Sequence, residues 1–202
     1  RINVLKYALR SIFDPSEPNY DTSLLPNGKI RLAWLTMNGN NKMPTTFSAS
    51  GTNSMHMLDT THRNNFLSFI DKLTANSGTP SHRIFSRADA YMRGNLSKDG
   101  PWASVPGTQG SPYLGCRRNY HIMMTDGRWN GDTQSIGDTS RRDNAENISL
   151  PDGTIYGGTT TAAISKTNLY RDTRTGTLAD WAFYSCVTPF QTATDAQRVN
   201  GL

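Results

Sequence analysis

The sequence predicts an α/β fold, a sheet flanked by helices and interrupted by long polar loops. Three observations lead to it. Amphipathic stretches with helical spacing recur along the chain, and runs that are apolar on both faces lie between them. The polarity, thirdly, is neutral: the 202 residues hold 24 Thr, 18 Ser and 17 Asn, while 35% are hydrophobic and only 18% charged. With 17 Gly, 10 Pro and a mean hydropathy of −0.59, that mixture suits extended loops around a modest core. The length fits one domain. No apolar run approaches the roughly 20 residues that cross a bilayer, and no heptad pattern or internal repeat supports a coiled coil or solenoid. Low charge and an aromatic complement of four Trp, eight Tyr and seven Phe argue against disorder.

The elements follow in order. Ile2, Leu5, Leu9 and Ile12 form one stripe with Val4, Ala8 and Phe13 beside it, an amphipathic helix that Asp14-Pro15 ends. Residues 14–29 read as a loop closed by the turn Pro26-Asn27-Gly28. The run 29–37 is a strand, apolar on both faces through Ile30, Leu32, Trp34 and Ala33, Leu35, Met37. A polar stretch over 38–62 leaves room for one short strand at 54–58. A second helix is predicted over 63–75 from Phe66, Leu67, Phe69, Ile70 and Leu73. After the loop Asn76-Ser77-Gly78-Thr79-Pro80, proline opens a third helix over about 80–93. Residues 94–118 are a Gly/Pro/Ser-rich loop. The run Tyr120-His121-Ile122-Met123-Met124-Thr125 then has the pattern of a buried parallel strand, stopped by Asp126-Gly127. From 127 to 175 the chain is polar loop. Thr177 caps a last helix, with Asp180 completing a box-like pair.

The balance of 21 Lys+Arg against 16 Asp+Glu gives +5 and a pI near 9.4, but the cations are scattered singly or in pairs such as Arg117-Arg118 and Arg141-Arg142. No basic run is interleaved with stacking aromatics, so a weakly basic surface is favoured over a nucleic-acid groove. Cys116 and Cys186 lack zinc-site spacing. His56, His62, His82 and His121 accompany neither a Gly-x-Ser-x-Gly elbow nor a His-Glu-x-x-His pair, which speaks against a hydrolase. His121 reads as a core or interface residue; His82, in the first turn after Thr79, either lines that loop or, the better reading, is solvent-exposed. The loop acids Asp132, Asp138, Asp143 and Glu146 lack the spacing of a calcium loop and read as solvated charges.

In open α/β sheets, function collects where loops leave the carboxyl ends of strands. Two such places stand out, Thr125-Asp126-Gly127 and Ser77-Gly78-Thr79-Pro80. A carboxylate and a Thr hydroxyl are ligands that a hard cation, Mg²⁺ or Ca²⁺, prefers. Taken alone, Asp126 reads better as a plain turn residue and Thr79 as a helix cap; it is the pairing of the two that points to a cation.

The order of a leading helix, a two-faced strand, a Gly-Thr-Pro loop and a strand ending in Thr-Asp-Gly resembles a von Willebrand factor A-like, Rossmann-like domain. More narrowly, Cys116-Arg117-Arg118-Asn119-Tyr120-His121-Ile122-Met123-Met124-Thr125-Asp126-Gly127-Arg128-Trp129-Asn130 resembles the PilC/PilY family of type IV pilus tip adhesins. Tyr170-Arg171-Asp172, followed by Thr177-Leu178-Ala179-Asp180-Trp181-Ala182-Phe183-Tyr184, is similar to the family's next landmark. Asn76-Ser77-Gly78-Thr79-Pro80 is similar to its Gly-Gly-Thr-Pro loop, with Ser in place of one Gly.

The resemblance implies that Thr79 and Asp126 are metal-site residues. The family's Asp-x-Ser-x-Ser loop, its first and last strands and its carboxy-terminal propeller are not in this sequence. Residues 1–202 are then one incomplete domain, with loop insertions at about 38–62, 94–118 and 127–175. Two ligands hold a divalent cation weakly when six or more oxygens are wanted, so firm binding is expected only in the complete domain. Cys116 precedes the strand that ends at Asp126, and Cys186 lies about two and a half turns into the helix opened by Thr177. Both belong toward one end of the domain. A disulfide between them, pairing elsewhere and reduced thiols all stay open.

The implied role is adhesion or surface sensing at the pilus tip together with pilus assembly, not turnover. The expected partners are minor pilins of the tip complex and a surface or host-cell ligand, outside the cell after export through the periplasm. The alternatives are DNA capture by a competence pilus, a secreted hydrolase, or an architectural cap whose metal site is vestigial.

Overall fold

The computed structural model describes residues 1–202 apart from 49–50, 76, 116, 126–128, 131–133, 137, 151–152, 154, 157–172 and 192–202, and apart from the side chain of Asn41. The leading helix α1 spans Ile2–Phe13, as the apolar stripe predicts, and Asp14 is its C-cap. The Asp14 carboxylate accepts from the Ser16 N–H at 3.0 Å and the Ser16 hydroxyl at 2.7 Å, which turns the chain away from the helix axis. Arg10 bridges Asp14 and Asp71. It thereby joins α1 to α2, Thr60–Lys72.

The helix α2 begins three residues earlier than the apolar spacing implies. Asp59 is the reason: its side chain accepts from the His62 N–H at 2.7 Å and caps the helix before the apolar face starts. Inside the α1–α2 pair lies the first core, Trp34, Phe66 and Ile70, with Leu9, Phe13, Leu32, Leu67 and Phe69 packed around it. Phe13 meets Phe66 edge-on at 4.8 Å. Arg63 is buried and donates to the carbonyls of Phe13 and Leu25, so the 14–29 loop is tied to the helix it crosses.

The predicted strand 29–37 pairs over Arg31–Leu32 only (β1), antiparallel to His56–Met57 (β2), which falls within the predicted 54–58 strand. Past β1 the contact continues through Asn53, whose carbonyl accepts from the Trp34 N–H and whose amide donates to the Trp34 carbonyl, both at 3.1 Å. A second antiparallel pair, β3 (Ile148–Ser149) and β4 (Ile155–Tyr156), lies within the long polar region.

The helices α3 (Ser81–Met92) and α4 (Leu178–Val187) pack together around the second core, Ile136, Trp181 and Tyr184 with Phe85. The capping box predicted for α4 is present: the Thr177 hydroxyl accepts from the Asp180 N–H, and the Asp180 carboxylate accepts from the Thr177 N–H. Arg93 locks the far end. It pairs with Asp89, donates to the carbonyls of Thr188 and Pro189, and stacks on Tyr184 and Phe190. Cys186 is half-buried on α4 and unpaired among the described residues, and Cys116, its candidate partner, lies outside them.

The architecture is therefore mixed helix and sheet, but among the described residues the ladders are antiparallel and two residues long. The expected buried parallel strand over 120–125 is corrected. The segment enters no ladder, and Tyr120, Ile122 and Met124 are 80%, 81% and 51% exposed. A strand apolar on both faces is buried only when a layer covers each face. Among the described residues the recorded ring contact is Phe85 against His121, at 4.9 Å, and His121 itself is exposed.

Candidate functional site

The Gly-Thr-Pro loop sits where α3 begins, and its geometry is set by residues far away in sequence. The Thr79 N–H donates to the Asn130 side-chain oxygen at 2.6 Å, and the Asn130 N–H donates to the Thr79 carbonyl at 3.1 Å. From the other side, the Asn38 amide donates to the Gly78 carbonyl at 2.5 Å. A Cβ on Gly78 would run into the Asn130 side-chain oxygen, so only glycine lets Asn130 close over the loop. Ser77 sits at φ 75°, in the left-handed region that favours glycine. The one residue that departs from the Gly-Gly-Thr-Pro pattern thus stands at a strained position.

Thr79 does not cap α3. The N-cap is Pro80, with no side-chain hydrogen bond. Among the described residues the Thr79 hydroxyl makes no hydrogen bond, so its oxygen is held on a fixed loop with its lone pairs unspent. Asp126, the other residue expected at this site, lies outside the described residues, four positions before the Asn130 that clasps Thr79.

Beneath the loop is His82, which corrects the expectation of an exposed residue: it is fully buried. Neither ring nitrogen has a hydrogen-bond partner among the described residues. The half-exposed Trp129 lies against the imidazole with ring centres 4.6 Å apart. Burial lowers the His82 pKa from its ordinary value, and the buried Asp180 carboxylate partly opposes that. His82 is thus a neutral, apolar-packed support.

The sequence points to Thr79 and Gly78 and sets His82 one turn on as a residue that lines the site or is exposed, but it gives no role to Asn38, Trp129 or Asn130. Trp129-Asn130 belongs to the motif after Thr-Asp-Gly, so its presence there was the available signal. Asn38 has none, since its contact spans 40 residues. Among the described residues no group of three His, Cys, Asp or Glu side chains comes together to hold a metal ion.

The chain is 35% identical over 182 residues to the "Type IV pilus biogenesis factor PilY1" of Pseudomonas aeruginosa strain PAO1, a match covering 88% of this chain and 14% of that protein. It is 34% identical over 180 residues to the protein of the same name from strain PAK, and 29% identical over 166 residues to that from strain UCBPP-PA14. Over this matched region the chain belongs to the PilY1 family. It spans 14% of the length of the first two relatives. No family model and no solved structure matches it.

Proposed function

We propose that this chain is part of a type IV pilus tip assembly, in which a von Willebrand A-like domain binds a surface or host ligand through a divalent cation. Thr79 and Asp126 would hold the cation, together with oxygen ligands from outside residues 1–202. The cation supplies an open coordination position for an acidic group of the partner. The observation that carries this reading is the Thr79 hydroxyl, which makes no hydrogen bond among the described residues and sits on a loop fixed by Asn130 and Asn38. A side chain positioned by its backbone loses little further entropy when it takes a ligand.

The names of the relatives support the pilus context. No helix among the described residues is long and apolar enough to cross a membrane, which is compatible with an exported, pilus-borne location. Binding rather than turnover is the activity, and minor pilins are the expected assembly partners.

Calorimetric titration of Mg²⁺, Ca²⁺ or Mn²⁺ into the full-length polypeptide tests the site. Thr79→Ala and Asp126→Asn are each expected to weaken binding at least tenfold. Full affinity in both variants would refute the reading.

A further inference from the structure

We propose that a cleft between the 134–142 segment and the bend leading into α4 binds a carboxylate-bearing sugar ring, a hexuronate, with Arg142 taking the carboxylate. The cleft measures about 220 Å³. Pockets for drug-sized ligands run to roughly 300–1,000 Å³, so this one holds a single ring. Its wall is preformed. The Gln134 carbonyl accepts from the Trp181 indole N–H at 2.8 Å, and Ile136 is buried with Trp181 and Tyr184. Both contacts fix the segment on α4. Thr175 and Gly176 complete the lining just before the Thr177 cap, with Gly176 at φ 72°.

The chemistry of the lining selects the ligand. Of the consecutive pair Arg141-Arg142, Arg141 is engaged: it donates to the Val187 carbonyl at 2.9 Å and pairs with Asp138 at 3.6 Å. Arg142 lines the cleft half-buried, and among the described residues its guanidinium has no hydrogen bond or ion pair. A partly desolvated guanidinium fork matches one carboxylate through two parallel N–H···O bonds. A doubly charged phosphate fits less well. The buried Asp180 carboxylate already takes the Thr177 N–H at the start of α4, so that helix end has little to offer a second anion. Around the guanidinium, Ser135, Thr139 and Thr175 supply hydroxyls. An acidic peptide side chain would desolvate these hydroxyls and leave them unpaired, since it carries only methylenes beyond its carboxylate. A sugar ring brings hydroxyls that pair with them.

The cleft is also well placed. The helices α3 and α4 run side by side in the same direction: Phe85 meets Trp181 with ring centres 6.0 Å apart, the Ser185 hydroxyl donates to Asp89 at 2.7 Å, and Arg93 donates to the Thr188 carbonyl at 3.2 Å. The cleft before α4 and the Thr79 loop before α3 therefore lie at the same end of the helix pair. They share no residue, and the proposal stands without the cation.

Saturation-transfer NMR on the full-length polypeptide, with chelator present throughout, tests it with D-glucuronate, D-glucose and acetate as probes. Glucuronate is expected to bind with a Kd on the order of 1 mM, the range for one small ring. Glucose lacks the charge and acetate lacks the hydroxyls, so each is expected to bind about tenfold more weakly or worse. Arg142→Ala is expected to lose about tenfold or more in glucuronate affinity, and Arg142→Lys nearly as much, because an ammonium cannot form the paired bonds. Thr139→Val, at an exposed position, removes one hydroxyl without touching the core and is expected to cost about two- to fivefold. That variant and the three probes decide the matter even where an Arg142 variant folds poorly. Unchanged glucuronate binding in Arg142→Ala, or no saturable binding at about ten times the expected Kd, would overturn the proposal. So would acetate or an aspartate-rich peptide that binds as tightly as glucuronate. Chelator leaves the expected result unchanged, so failure of the cation reading is read separately.

Discussion

His82 offers the sharpest perturbation, because the structure places a polar ring where nothing satisfies it. Both nitrogens are buried without a hydrogen-bond partner among the described residues, and the ring packs on Trp129. An unsatisfied buried polar group costs about 1–3 kcal/mol. An apolar side chain of similar volume removes that cost and adds less than about 1.5 kcal/mol of repacking. His82→Leu is therefore expected to stabilise the region on balance, by up to about 3 kcal/mol.

Native-state hydrogen exchange over Ser81–Met92 in the full-length polypeptide reads this as exchange slowed by up to about 100-fold at pH 8, since 1.4 kcal/mol is a factor of ten. The pH dependence supplies the second readout. Burial lowers the folded-state pKa of His82, so below about pH 6.5 the unfolded chain binds the proton more readily. Wild-type stability should then be flat above about pH 7.5 and fall as pH drops through 6.5 toward the folded-state value. His62, lowered by burial despite its bond to the Leu32 carbonyl, and His121, lowered by desolvation, add slopes of the same sign. The leucine variant should keep that shallower part alone. Faster exchange in the variant at pH 8, with the wild-type slope retained, would show that the ring is satisfied in the molecule and refute the reasoning.

Other outcomes follow from the same contacts. Ser77→Gly relieves a left-handed backbone at φ 75° and should raise stability by about 0.5–1 kcal/mol in thermal or denaturant unfolding. Asn130→Ala removes the side-chain oxygen that accepts from the Thr79 N–H, and should cost about 1 kcal/mol, visible as faster amide exchange at Thr79. Ile70→Ala opens a void in the Trp34–Phe66–Ile70 core and should cost about 2–5 kcal/mol, read from the denaturation midpoint.

What could be read from the sequence follows a physical divide between local and distant causes. The helices α1, α3 and α4 were readable because stripe, proline and capping box act within a few residues of one another. The start of α2 was misplaced because Asp59, not the apolar face, sets it. The strand at 29–37 was recognisable in type but not in extent, since pairing depends on a partner that offers only His56–Met57. The run at 120–125 carries the hydrophobicity of a buried strand, yet hydrophobicity records the need for a cover and not its source. At the site, the Gly-Thr-Pro loop announced itself through residue type. Its clasp did not, because Asn130 reaches Thr79 across 51 residues, and the burial of His82 depends on Trp129 closing from the same distant segment.

In the function proposed above, Thr79 and Asp126 share one divalent cation. Anomalous diffraction from crystals of the full-length polypeptide grown with Mn²⁺ tests it most directly. The expected result is a manganese peak within about 2.0–2.6 Å of both the Thr79 hydroxyl and an Asp126 carboxylate oxygen. No peak at that loop, with the two side chains at opposite ends of the fold, would contradict it.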